Sequence, residues 1–67
     1  MEISLRAARV NAGLTQQDVC DQTGFARSTI RRWERGETKP GKRAMEVLCR
    51  IYGVSADQIG RSTYGKR

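Results

Sequence analysis

The chain has 67 residues, enough for one small domain near the lower size at which a single hydrophobic core holds a fold without metals or disulfides. Thirteen Lys and Arg against seven Asp and Glu leave a net charge of +6, a balance that favours anionic partners such as nucleic acid or an acidic membrane face. The longest apolar run is Val47, Leu48 and Cys49 and the chain has no histidine, which argues against a membrane span, a secretory signal, a zinc set and a catalytic triad, and leads us to expect a cytoplasmic, non-enzymatic protein without metal or cofactor.

Leu5, Ala8, Arg9 and Ala12 recur at i, i+3, i+4 and i+7, the spacing of one helical face, and Gly13 follows where a left-handed residue would end the helix. A first helix is predicted over about residues 2–12. In LTQQDVCDQTG, Thr15 is placed to cap the next N–H groups, Asp18 reaches back to complete a capping box, and Gly24 closes a short second helix over 16–23 with Val19 and Cys20 turned inward. A third helix is expected over 27–35, between the Gly24 turn and Gly36. After the KPG break, a fourth begins near Lys42, with Met45, Leu48, Cys49 and Tyr52 on one face and Gly53 at its end. In VSADQI, Ser55 as cap, Gln58 at the box position and Val54 with Ile59 as a staple predict a short fifth helix. The result is an all-α, compact five-helix domain over 1–60, with 61–67 (RSTYGKR) as a mobile basic tail. Cys20 and Cys49 lie outside any C-x-x-C spacing and are expected as small reduced thiols.

The third helix carries the sharpest signal. With about 100° per residue and Arg27 at zero, Arg31 lies near 40°, Arg35 near 80°, Ser28 near 100° and Arg32 near 140°. Ile30 and Trp33 lie near 300° and 240°, so the helix divides into a cationic face and an anchored face. Arg27 with Arg31, and Arg31 with Arg35, are like-charge i, i+4 pairs, each costing a few tenths of a kcal/mol in an isolated helix. A solvated helix face generally mixes its signs. Phosphates or guanine edges across the face would offset the repulsion.

From Gln16 to Gly36 the stretch QQDVCDQTGFARSTIRRWERG resembles the helix-turn-helix of the phage repressor and Cro family of bacterial regulators, also described as the xenobiotic-response-element family. A Gln opens the second helix, a small residue stands at 20, Gly at 24, a β-branched residue at 30 and an apolar one at 33. Arg9, GLTQ, WERGE with Pro40, and YGVSADQI extend the resemblance over about residues 2–60. The chemistry of those positions agrees with it: a small residue at 20 permits a close helix crossing, Gly24 takes the positive φ of the bend, and a third helix held by Ile30 and Trp33 is free to enter a major groove about 12 Å wide.

The resemblance implies that Arg27, Ser28 and Arg32 touch bases. An arginine fork matches the O6 and N7 acceptors of guanine, so guanines are expected in each half-site, whereas a serine hydroxyl is less selective. Arg31 could read a base or clamp a phosphate, and the sequence leaves both open. Gln16 corresponds to the family's phosphate-binding glutamine at a helix start. Thr15, Gln17, Arg35, Lys39, Lys42 and Arg43 are candidates for further phosphate contacts, which fix orientation and make binding salt-dependent. In similar repressors the positions of Arg9 and Glu34 form a partly buried ion pair of structural role. Trp33 is expected in the core, because the aromatics are not interleaved with the arginines as a single-strand stacking surface would require. Departures from the pattern are Ala26, where a capping Ser or Thr is usual, Cys20 in place of Ala, and Lys42 in place of an apolar residue.

The implied function is a sequence-specific double-stranded DNA-binding regulator, most simply a repressor that occupies an operator. A weak homodimer, formed on DNA through an extra strip of Ala44, Val47 and Ile51 together with the fifth helix and the tail, would match two half-sites one helical turn apart. The rival reading is a helix-turn-helix interaction module, an antitoxin or adaptor, matched to an acidic protein partner. No small-molecule ligand is indicated, and a membrane-surface role lacks an apolar face beside the basic one. The chain reads either as a minimal Cro-like protein or as the amino-terminal part of a longer repressor.

Overall fold

The computed structural model describes residues 3–59; residues 1, 2 and 60–67, and with them the predicted tail, lie outside the described residues. Four α-helices follow in order, α1 Leu5–Asn11, α2 Gln16–Thr23, α3 Arg27–Arg35 and α4 Lys42–Tyr52, and a single 3-10 turn spans Ala56–Gln58. The all-α expectation stands, but the predicted fifth helix is only this turn. Gln58 Oε1 accepts from the Ser55 N–H at 2.9 Å, as a box residue should. The chain then leaves the helical region at once, because Ile59 is extended and forms a parallel bridge with Ile3, whose N–H donates to the Gln58 carbonyl at 2.7 Å.

The same bridge corrects the start of the first helix. Ile3 is committed to Ile59, and Ser4, extended at φ −77° and ψ 162°, caps α1 by accepting the Ala7 N–H at 3.0 Å. α1 therefore begins at Leu5, not at residue 2. It ends with Ala12 as cap and Gly13 at φ +77°. Ala12, on the face that periodicity marks as apolar, is exposed because the helix has already stopped there.

α2 opens on a complete capping box: Thr15 Oγ1 accepts the Asp18 N–H at 3.0 Å, and the Asp18 carboxylate accepts the Thr15 N–H at 2.9 Å. These bonds favour the ionised carboxylate and hold Asp18 below its usual pKa. Gly24 ends α2 at φ +82° and ψ 0°, a left-handed conformation that costs an L side chain roughly 1–2 kcal/mol. Thr23 braces the bend that follows, donating to the Val19 carbonyl at 2.7 Å and accepting the Phe25 N–H at 3.1 Å. Only three residues separate the end of α2 from the start of α3, so the two helices are forced to cross.

Leu5, Val19, Ile30 and Leu48, one from each α-helix, are fully buried and form the centre of the core with Ala8, Trp33, Cys49, Tyr52 and Ile59. α2 packs on α3, α1 on both α3 and α4, and the 3-10 turn on α4. Phe25, in the bend, meets Trp33 edge to face with ring centroids 5.2 Å apart, which ties the turn to the helix it feeds. Cys49 is buried and Cys20 half-buried, both as free thiols, and burial raises the pKa of Cys49.

Candidate nucleic-acid interface

α3 is anchored from behind. Ile30 is 1% exposed and Trp33 8%, while Arg27, Ser28, Arg31, Arg32 and Arg35 are all exposed. The helical spacing thus becomes a physical division: two apolar side chains hold the helix in the core and the guanidinium groups stand on its outer side. Ala26 is the N-cap, extended at φ −67° and ψ 144°, and gives α3 no side-chain cap, so the first N–H groups of the helix have no protein side chain as acceptor. Gly36 ends the helix. Arg35 Nε lies 3.1 Å from Glu37 Oε2, an exposed ion pair of small energetic weight.

Behind the arginine face lies a polar knot joining three helices. Arg9 of α1 grips Glu34 of α3 through two guanidinium nitrogens, Nε to Oε2 at 2.7 Å and Nη2 to Oε1 at 3.2 Å, and its Nη1 donates to the Leu14 carbonyl at 2.9 Å. Only 11% of the Arg9 side chain and 6% of the Glu34 side chain remain exposed. The hydrogen bond to Glu34 raises the Arg9 pKa against the lowering effect of burial, so the cation persists at any working pH. Gln16 at the start of α2 completes the knot, donating its amide to Glu34 Oε1 at 3.2 Å. Tyr52 closes the inner side: burial first, and then the Glu34 carboxylate, push its hydroxyl up to about 12. Fixing α1, α2 and α3 to one carboxylate sets the angle at which α3 is presented.

Thr15 and Gln17 are exposed beside Gln16, but Thr15 is engaged in the capping box and the Gln17 amide donates to Asp21 Oδ1 at 3.0 Å. Lys39, Lys42 and Arg43 are exposed around the start of α4, whose cap Gly41 offers no side-chain acceptor. The start of α4, uncertain from sequence because Lys42 replaces an apolar residue, is Lys42 itself.

Two features escape a reading of the sequence. The Gln16 to Glu34 bond spans 18 positions and has no local signal. Arg6, which the sequence pattern does not single out, shares an open concavity with Arg9, Gln16, Arg31, Glu34 and Arg35. Its position one turn before Arg9 was the available clue, since i, i+3 residues share a helix face. Among the described residues no group of His, Cys, Asp and Glu is arranged to hold a metal ion, and no helix is long and apolar enough to cross a membrane.

Comparison with known proteins agrees with this geometry. The chain is 32% identical over 54 residues to the type II methyltransferase M1.ScrFI of Lactococcus lactis subsp. cremoris, a match covering 76% of the chain but 14% of that protein. No solved structure matches the chain. A family model described as a helix-turn-helix domain matches residues 3–61, nearly the whole chain, and within that range α2 and α3 flank the Gly24 bend. The chain belongs to the helix-turn-helix domain family, a DNA-binding class.

Proposed function

We propose that this protein is a sequence-specific double-stranded DNA-binding transcriptional regulator of the phage repressor and Cro type, acting as a repressor that reads the major groove with α3. One observation carries the reading: four arginines and a serine are exposed on a helix whose opposite face, Ile30 and Trp33, is sealed in the core. Such a helix enters a groove without disturbing the fold. Arg27, Ser28 and Arg32, nearest the start of the helix or farthest round from the Glu34 edge, are the base readers, with the Arg forks directed at guanine O6 and N7. Lys39, Lys42 and Arg43 at the start of α4, with Thr15, Gln16, Gln17 and Arg35, hold the flanking phosphates.

The role is binding, without catalysis, and takes place in the cytoplasm. A pair of chains occupies two half-sites one helical turn apart, with the half-buried strip of Ala44, Val47 and Ile51 on α4 as the contact. Methyl transfer is not carried over from the matched relative, because the chain spans 14% of that protein's length.

Selection from a pool of random duplexes tests this reading. The protein is expected to enrich a guanine-containing, two-fold symmetric site. Arg32→Ala should flatten the preference among sequences, whereas Lys42→Ala should weaken all sequences alike and lower the salt slope. No enrichment, together with capture of an acidic protein, would favour a protein-interaction module.

A further inference from the structure

The concavity between α1, the start of α2 and α3 has a volume of about 300 Å³ and is lined by Arg6, Arg9, Gln16, Arg31, Glu34 and Arg35. It contains four cationic side chains and one carboxylate, but these charges are not equivalent. Both oxygens of Glu34 already accept hydrogen bonds, two from Arg9 and one from Gln16. The pair is largely buried and forms a neutral wall. Arg6 and Arg31 are exposed and make no hydrogen bond or ion pair with the described residues. Arg35 has only its exposed contact with Glu37. Three guanidinium groups therefore border one space, and two of them, Arg6 and Arg31, have no balancing carboxylate among the described residues.

The placement on α3 narrows what they face. Arg31 and Arg35 are one turn apart, and both lie on the side of α3 towards Glu34 and α1, while Ser28 and Arg32 lie farther round the helix. Arg6 approaches the same space from a different helix. Guanidinium groups converging from two helices suit an anion with several oxygens, which accepts from more than one direction, better than the edge of a base, which is read in one plane. With a water occupying about 30 Å³, the space holds a phosphate group and part of its hydration.

We propose that this concavity is a phosphate site, in which Arg6 and Arg31 grip one phosphate group, Arg35 closes the outer side, and the second amide hydrogen of Gln16 is available to the same group. Arg31 is then a phosphate clamp and not a base reader, and the DNA contact surface extends onto α1. The assignment of that phosphate to the DNA backbone rests on the DNA-binding reading; inorganic phosphate tests the site without it.

In the first arm, affinity for the selected duplex and for a scrambled one is measured by fluorescence anisotropy across a salt series. Arg6→Gln and Arg31→Gln should each weaken both duplexes by the same factor, about five- to tenfold, and reduce the magnitude of the slope of log K against log salt by about 0.9. Arg50→Gln, an exposed arginine in the last turn of α4, controls for loss of a charge alone and should change both readouts less. In the second arm, inorganic phosphate is titrated while the arginine Nε–Hε NMR signals are followed. Saturable shifts of Arg6, Arg31 and Arg35 are expected, and Arg6→Gln should abolish those of Arg31. If Arg31→Gln weakens only the selected duplex, or if neither variant changes the slope while Arg32→Ala still flattens the preference, the phosphate site is overturned and the DNA reading stands. If the wild type binds no duplex, the DNA reading falls; the site then stands on the phosphate shifts, and it falls too when they are absent.

Discussion

Glu34→Ala is the most informative perturbation of the polar knot. The substitution removes the acceptor of three hydrogen bonds, at 2.7, 3.2 and 3.2 Å, and leaves the Arg9 guanidinium with only the Leu14 carbonyl in a site where 11% of its side chain is exposed. Breaking a buried ion pair from one side costs about 3–5 kcal/mol. The residual exposure, the surviving Leu14 bond and the slightly better helix propensity of alanine lower this to about 2–3 kcal/mol. A domain of this length has a total stability of roughly 3–10 kcal/mol, so the variant should lose a large share of it. At about 4–8 °C per kcal/mol for a small domain, Tm should fall by about 10–20 °C.

Circular dichroism melts and urea titrations at neutral pH would measure the loss, in low salt and in 1 M salt. A buried pair is screened little, so the deficit should persist in high salt. Glu37→Ala, which removes the exposed partner of Arg35, should cost no more than about 0.5 kcal/mol and should lose even that in high salt. The double variant Arg9→Met with Glu34→Leu, which removes both charges together, should recover most of the stability. A Glu34→Ala deficit below about 0.5 kcal/mol, or one abolished by salt, would refute the view that the knot fixes α1, α2 and α3 together.

Three more outcomes follow from single residues. Gly24→Ala should destabilise by about 1–2 kcal/mol with an unchanged urea m-value, because at φ +82° the cost is one of backbone conformation; a Cβ there would meet no atom within 4 Å. Ala26→Ser should stabilise by about 0.5–1 kcal/mol, raising Tm by several degrees, since α3 has no side-chain cap at present. Tyr52 titrates near 12 in the folded protein, above its ordinary value of 10.0, so its contribution is complete below pH 10 and disappears as pH rises towards 12. Urea midpoints should therefore fall over that range, and Tyr52→Phe should flatten that part of the profile.

Much of this architecture is legible in the sequence because its signals are local. The Thr15–Asp18 capping box, the glycines after each α-helix and the 3.6-residue periodicity around Leu48 and Tyr52 act within one or two turns, where propensity and hydrogen bonding depend on residues close in the chain. The two-sided character of α3 is similarly fixed by the order of Ile30, Trp33 and the arginines. Where the sequence reading fails, long-range contacts are responsible. The Ile3–Ile59 bridge shortens the first helix and reduces the fifth to one turn, joining positions that no local pattern connects. Only the folded chain brings Gln16 to Glu34, or sets Arg6 and Arg31 around one space, because a side chain's partners depend on how helices cross and not on the spacing along any one of them. The sequence thus determines that a basic helix is built and which side of it is apolar; tertiary packing decides how firmly it is held and which arginines share a space, since burial and convergence are properties of several segments at once.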